Sequence, residues 1–115
     1  MSKSYKEITH DISSELKTFR KEVQAPMAGF DAMAISAMSE GVLSALQKEL
    51  IATAIAVSTR CEGCIGFHVR GLVKLGATRE QINEMLAVAV YMGGGPSLMY
   101  AAEVLAAYEE FSAQA

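Results

Sequence analysis

Hydrophobic residues recur at helical spacing along nearly the whole chain, and no strand-like alternation of apolar and polar residues stands out. The first periodic segment, residues 5–24, carries apolar residues on one face and charged residues on the opposite face. The apolar face consists of Ile8, Ile12, Leu16, Phe19 and Val23. The pattern predicts an all-α fold that begins with an amphipathic helix.

Capping and turn residues divide the remaining chain into further helices. Ser44 and Thr78 are each followed three residues later by a glutamine, which is the spacing of a capping box at a helix start. Gly76 suits the position after a helix end, and Pro96 suits the first turn of a last helix after a break at residues 93–95. The predicted later helices are residues 27–38 (after Pro26 and ended near Gly41), 44–60, 61–75, 78–92 and 96–111. We therefore expect a compact single-domain bundle of about six helices.

The length of 115 residues fits one domain, residues 1–115, with a hydrophobic core. Hydrophobic residues make up 51% of the chain, which is more apolar surface than a monomer of this size can bury. Residues 82–108 are apolar nearly all round. We therefore expect a homo-oligomer. The net charge of −3 and the absence of a basic run argue against a nucleic-acid partner.

Residues 85–102 contain no charge over a length that can span a bilayer. Residues 93–96, Gly-Gly-Gly-Pro, interrupt this stretch, so burial in protein explains it better and we expect no membrane partner. The charged first seven residues are followed by no apolar block, unlike a secretory signal. We expect a cytoplasmic protein, in which a close cysteine pair is more often catalytic or metal-binding than structural.

The two cysteines of the chain, Cys61 and Cys64, stand at a predicted helix start. On one helical turn their Cα atoms are about 5 Å apart, which is close enough for a disulfide. A helix start favours the thiolate form of a cysteine, and His68 lies one turn after Cys64, where it can exchange a proton with that thiol. Cys61 is about 10 Å from His68 along the helix axis. We therefore predict a redox-active pair, with Cys64 as the nucleophile and Cys61 as the resolving thiol.

Glu49 belongs to the preceding helix, on a face with small neighbours such as Ala45, Ala52 and Ala56. Small residues let a second helix approach, and the burial that follows makes a carboxylate a better proton acceptor. If the helices of Glu49 and His68 run antiparallel, the two side chains can meet directly or through a water. Geometry thus allows a proton relay from Glu49 through His68 to Cys64.

These residues also have simpler interpretations. The cysteines can be buried as small hydrophobic residues, His68 can be a packed histidine, and Glu49 alone can be a solvated charge. A zinc site made of all four side chains would lack the second closely spaced ligand pair that such sites usually have, so we expect no metal. The predicted redox chemistry needs no organic cofactor.

Together the four residues form a Glu-x11-Cys-x2-Cys-x3-His pattern, followed by Leu75-Gly76-Ala77-Thr78 and Met92-Gly93-Gly94-Gly95-Pro96. This combination, over about residues 25–112, resembles the AhpD-like, carboxymuconolactone decarboxylase family. The resemblance implies an all-α protein that assembles as a trimer or hexamer. Family members that keep the CxxC pair act as alkylhydroperoxidases or thiol–disulfide oxidoreductases, whereas the decarboxylase branch characteristically lacks the pair.

By this resemblance Cys64 is the peroxide-attacking thiol, Cys61 is the resolving thiol, and His68 and Glu49 form the proton relay. The implied function is the reduction of a small hydroperoxide or disulfide, with an external dithiol as the reductant. One alternative is a non-catalytic oligomeric binding or redox-sensing protein, in which the same pair switches packing. A less favoured alternative is a carboxymuconolactone decarboxylase-like lyase that uses Glu49 and His68 for acid–base chemistry.

Overall fold

The computed structural model describes residues 2–113, and within that range it contains six α-helices and no strand. The helices are α1 (Tyr5–Glu22), α2 (Gln24–Met38), α3 (Ala45–Ser58), α4 (Glu62–Lys74), α5 (Arg79–Gly93) and α6 (Gly95–Ser112). The prediction of an all-α fold with six helices is confirmed. The predicted single domain, 1–115, includes residues 1, 114 and 115, which lie outside the described residues.

Most helices begin and end near the residues that the sequence predicted, with local hydrogen bonds at their ends. Ser44 and Thr78 each form a capping box, at the starts of α3 and α5. Gly76 follows the end of α4 with a φ of +79°, which glycine adopts without strain. The start of α2 differs from the prediction, since the helix begins at Gln24 rather than at residue 27. Pro26 lies in its first turn, where a missing N–H costs no helical hydrogen bond.

A single residue, Gly94, joins α5 to α6. Its φ of +72° lies in the region that favours glycine. Gly93 provides space rather than a turn, because a Cβ at that position would lie 1.9 Å from Ser97 Oγ. Pro96 lies in the first turn of α6. The Gly-Gly-Gly-Pro segment therefore makes a tight helical hairpin of α5 and α6.

Helix α4 is central and packs against α1, α3 and α6. Its Ile65, Val69 and Leu72 are fully buried. Burial of an aliphatic side chain of this size contributes about 1.5–3 kcal/mol. Helices α3, α5 and α6 complete the core with Val57, Ile82 and Val104. The core therefore forms around the same helix that carries the cysteine pair at its start.

Large apolar side chains stay exposed on the outer faces of α2, α3, α5 and α6. They include Met33, Ile35, Ile51, Ile55, Val88, Tyr91, Met92, Leu98 and Met99. Helix α2 contains no buried residue at all. None of the helices within residues 2–113 has the length and apolar character needed to cross a bilayer.

Glu110 of α6 holds the start of α1 in place. Its carboxylate accepts hydrogen bonds from Ser4 Oγ at 2.6 Å, from the Tyr5 N–H at 2.7 Å and from the Lys6 N–H at 3.3 Å. These N–H groups belong to the first turn of α1 and have no acceptor within the helix. Burial alone would raise the pKa of Glu110, but these hydrogen bonds outweigh it and hold the pKa below the usual range of a glutamate.

We expect Glu110→Gln to weaken this attachment, because the amide oxygen is a neutral and weaker acceptor. The loss should be about 1 kcal/mol at neutral pH, which lowers Tm by roughly 4 °C. The pKa of Glu110 is lower in the folded state than its ordinary value of 4.5. The ionised carboxylate therefore stabilises the fold fully at pH values above 4.5, and this stabilisation is lost as the pH falls through the pKa of the folded state. The variant and the unmutated protein should therefore converge in Tm as the solution is acidified below that value.

Thermal unfolding over a pH series measures both effects. Glu109→Gln is the matched control, since its carboxylate pairs with Arg79 at the surface and accepts no hydrogen bond from the described residues of α1. A Tm difference that persists unchanged in acid would show that the charge of Glu110 is not what holds α1.

Candidate active site

Cys61 and Cys64 form a disulfide at the start of α4, with their Cα atoms 5.2 Å apart. Cys61 is the N-cap residue of α4, and the Cys64 N–H donates a hydrogen bond to Cys61 Sγ at 3.2 Å. Cys64 is exposed whereas Cys61 is half-buried. The structure thus has the pair at the helix start and at disulfide distance, as the spacing predicted, and Cys64 is the cysteine that solutes reach more easily.

Glu49 and His68 meet directly across the interface between α3 and α4. Glu49 Oε2 lies 2.8 Å from His68 Nδ1, and the two side chains are 18% and 33% exposed, respectively. An ionised Glu49 accepts a hydrogen bond from Nδ1–H, which leaves the lone pair of a neutral imidazole on Nε2. The structure therefore brings together the two members of the predicted relay, and it leaves one ring nitrogen available for proton exchange.

Gly71 provides the room for this contact. A Cβ at Gly71 would lie 3.2 Å from both Cδ and Oε2 of Glu49, which is closer than an ordinary van der Waals contact. The glycine lies inside α4, where it makes no turn. Sequence reasoning missed Gly71, although an isolated glycine inside a helical pattern is itself a signal of close packing.

A cavity of about 660 Å³ opens beside the disulfide and His68. Its wall consists of Ile12, Ser13, Leu16 and Arg20 from α1, Phe30 from α2, and Cys61, Gly63, Cys64, Phe67 and His68. Among the described residues, Glu49 is not part of this wall and lies behind His68. The volume and the mostly apolar wall are typical of a site for a small organic molecule.

Helix α1 forms one wall of the cavity because it packs directly on the cysteine turn. A Cβ at Gly63, between the two cysteines, would lie 2.8 Å from Ile12 Cδ1. Ile12 and Leu16 belong to the apolar face predicted for this helix, and both line the cavity, although Leu16 is exposed. Arg20 was missed, although it follows Leu16 by four residues and so shares its face of the helix.

The part of the chain that the structure describes contains no group of three or more His, Cys, Asp or Glu side chains arranged to hold a metal ion. The disulfide, His68 and Glu49 are the predicted site residues that the structure brings together beside the cavity. They are suited to thiol redox chemistry assisted by proton transfer.

We expect Gly71→Ala to push the Glu49 carboxylate away from His68. The imidazole NMR signals of His68 should shift, and the rate at which the reduced protein is alkylated at Cys64 should change. Gly29→Ala is the matched control in α2, because a Cβ there meets nothing within 4 Å and the substitution should stabilise the helix by up to about 1 kcal/mol. Unchanged His68 signals in a folded Gly71→Ala protein would show that this glycine does not position Glu49.

The chain matches the sequence profile of the carboxymuconolactone decarboxylase family over residues 22–107. This span contains both cysteines, Glu49 and His68. It leaves out most of α1, which supplies one wall of the cavity.

Individual proteins are similar to this chain over most of its length. The crystal structure of an apo carboxymuconolactone decarboxylase family protein from Legionella pneumophila is similar with a TM-score of 0.92 and 57% sequence identity, over 94% of this chain and 96% of that one. An uncharacterized protein from Cupriavidus necator is 38% identical over 103 residues, which is 90% of this chain and 91% of its own length. Uncharacterized protein 4 in the cox locus of Paracoccus denitrificans is 40% identical over 81 residues, which is 70% of this chain and 73% of its own length. In sequence and in fold, the chain belongs to the carboxymuconolactone decarboxylase family.

Proposed function

We propose that the protein is a thiol-dependent peroxidase of the alkylhydroperoxidase type, a thiol–disulfide oxidoreductase that reduces small hydroperoxides. The observation that carries the proposal is the presence of the Cys61–Cys64 disulfide and the Glu49-bound His68 at one apolar cavity. Family membership supports it, because the family includes AhpD as well as decarboxylases.

In the oxidative half-reaction His68 takes the proton of the Cys64 thiol. The thiolate then attacks the terminal oxygen of the hydroperoxide, so that an S–O bond forms while the O–O bond breaks. His68 returns the proton to the departing alkoxide, which leaves as an alcohol. Cys61 attacks the Cys64 sulfenic acid, expels its oxygen as water and closes the disulfide.

In the reductive half-reaction an external dithiol opens the Cys61–Cys64 bond and is itself oxidised to a disulfide. One turnover thus converts a hydroperoxide and a dithiol into an alcohol, water and a disulfide. Such a cycle suits a reducing compartment, so we infer a cytoplasmic location. A small disulfide can replace the hydroperoxide as the oxidant, by thiol–disulfide exchange at Cys64.

Three possible functions of this site, lyase, redox sensor and peroxidase, make different demands on the cysteines. A lyase would use Glu49 and His68 alone, so its activity would survive the loss of Cys64. A redox sensor would form the disulfide without sustained turnover. The peroxidase needs both cysteines and consumes one dithiol for each peroxide.

Consumption of a simple alkyl hydroperoxide in the presence of excess dithiol tests the proposal. We expect Cys64→Ser to abolish turnover, because the attacking sulfur is lost. Glu49→Gln and His68→Gln should each slow turnover by ~10²–10⁴, the usual loss when one general-base element is removed. The double variant should lose little more, because groups that act as a unit are not additive.

Circular dichroism and light scattering on each variant show whether a loss of activity is caused merely by a loss of the fold. Glu80→Gln is a suitable control, since it removes one exposed carboxylate from the first turn of α5, away from the cavity. Near-normal turnover in Glu49→Gln would leave His68 as the sole base. Persistent peroxide consumption in Cys64→Ser would refute the thiol mechanism.

We further infer that copies of the chain assemble, as a trimer or hexamer, through the apolar faces of α5 and α6. On these faces Tyr91 is 84% exposed, Met92 77% and Met99 63%. Isolated exposed apolar residues are ordinary, but a contiguous set of this size is typical of an interface. The apolar sides of α2 and α3 supply a second such surface.

A charge at the first surface should therefore separate the subunits without unfolding them. Because the Met92 side chain is mostly exposed in the single chain, Met92→Asp should keep its helical content while its mass in solution falls. Multi-angle light scattering measures the mass, and Ser14→Asp on the exposed polar side of α1 is the control. A monomeric mass for the unmutated protein would refute the assembly.

A further inference from the structure

The cavity beside the disulfide is elongated along α1. Its residues Ile12, Leu16 and Arg20 follow one another at four-residue steps on one face of that helix. Ile12 packs on Gly63, within the cysteine turn. Arg20 is eight residues further along, which corresponds to about 12 Å. Cys61 and Cys64 therefore line the wall near one end of the stretch that α1 contributes, and Arg20 lines it at the other end.

The wall between these two ends is apolar. Leu16, Phe30 and Phe67 come from three different helices and line the same space. Arg20 is the one permanently charged side chain among the described residues that line the cavity. A molecule that fits this arrangement has an apolar body with one anionic end.

Arg20 keeps hydrogen-bonding capacity for such a ligand. Its Nη1 donates to both carboxylate oxygens of Asp31, at 2.9 and 2.7 Å. Asp31 itself is not part of the cavity wall within the described residues. A guanidinium has five N–H donors, so those on Nε and Nη2 stay available after the Asp31 contacts are made. Two parallel donors of this kind match the two oxygens of a carboxylate.

The ion pair with Asp31 orients Arg20 without neutralising it fully. The Arg20 and Asp31 side chains are 42% and 48% exposed, so water screens their mutual attraction. A second carboxylate at the cavity end of the guanidinium can therefore bind while Asp31 stays in place.

We propose that the natural oxidant is an amphipathic carboxylate-bearing hydroperoxide, the chemistry of an oxidised fatty acid, with its carboxylate on Arg20 and its peroxide at Cys64. This assignment rests on the peroxidase function proposed above and makes Arg20 a residue that determines specificity. The Cys64 thiolate takes the terminal peroxide oxygen, and His68 protonates the alkoxide that leaves. The product is a hydroxy acid whose carboxylate is unchanged.

A matched pair of substrates tests the proposal, namely a linoleic acid hydroperoxide and its methyl ester, both used below the concentration at which they form micelles. The two share the peroxide and the apolar chain and differ only in the charge. In single-turnover experiments with the reduced protein, we expect the acid to oxidise the Cys61–Cys64 pair about tenfold faster than the ester, an effect of one charge-assisted hydrogen-bonding group. This preference should shrink as salt is added.

Arg20→Gln should remove the preference, because it should slow the reaction of the acid about tenfold more than the reaction of the ester. Arg79→Gln is the matched control, because Arg79 is 48% exposed and paired with one carboxylate, Glu109, outside the cavity. It should leave both rates unaltered. Equal rates for acid and ester in the unmutated protein, or an equal loss for both in Arg20→Gln, would overturn the proposal. If Arg20→Gln slowed only the reduction of the disulfide by the dithiol, the proposal would also be overturned, and Arg20 would be assigned to binding of the dithiol.

A binding measurement separates this proposal from the peroxidase itself. Calorimetry with decanoate, which has no peroxide group, should show binding to the oxidised protein that Arg20→Gln weakens about tenfold, whereas Arg79→Gln should not. If neither hydroperoxide oxidises the cysteines but decanoate binds through Arg20, the peroxidase function fails and the anion site stands. If both hydroperoxides react and decanoate does not bind, the peroxidase stands and the anion site is refuted.

Discussion

The hydrogen bond between Glu49 and His68 depends on how closely α3 and α4 approach each other, and Gly71 leaves room for the Glu49 carboxylate beside α4. With a larger residue at Gly71, the carboxylate would have to move away from the imidazole. The contact also requires that His68 and Gly71 be three residues apart on α4, so that both face Glu49. The chemistry of the site is thus built into the packing of two core helices rather than into a loop.

Helix α4 uses glycine twice more, on the side that faces α1. Cβ atoms at Gly63 and Gly66 would lie 2.8 and 2.7 Å from side-chain atoms of Ile12 and Thr9. The aliphatic residues of α4 fill the core, while its glycines admit Glu49 and α1 close to its backbone. Because Glu110 of α6 fixes the start of α1, a residue outside the cavity wall helps to set the position of that wall.

The features that the sequence predicted well are local ones. Capping boxes at Ser44 and Thr78, the positive φ at Gly76 and the cysteine spacing depend on residues within one or two helical turns. Prediction of the contact between Glu49 and His68 required only one assumption about tertiary structure, that two consecutive helices run antiparallel. Spacing and the family resemblance thus indicated the two contacts that the structure contains, the Cys61–Cys64 disulfide and the hydrogen bond between Glu49 and His68.

The remaining parts of the site depend on contacts between distant helices. No spacing rule indicates that Leu16 of α1 and Phe30 of α2 line one space with Phe67 of α4. Helix α2 buries none of its residues, so its apolar pattern does not specify what it packs against. The function of Arg20 was hidden for a related reason, because a charged residue on an amphipathic helix is normally interpreted as solvated.

The disulfide closes a very short loop, since its cysteines are only three positions apart. In the chain-entropy description, closing a loop of this size raises the free energy of the denatured chain by about 2 kcal/mol, compared with about 3 kcal/mol for a loop of 15 residues. The bond therefore contributes less to the thermodynamic preference for the native fold than a disulfide that closes a long loop. Reduction of the pair therefore also shifts the balance between the folded and denatured ensembles, by about 2 kcal/mol in this description, so the free energy of the thiol–disulfide couple depends on folding as well as on local interactions at the start of α4.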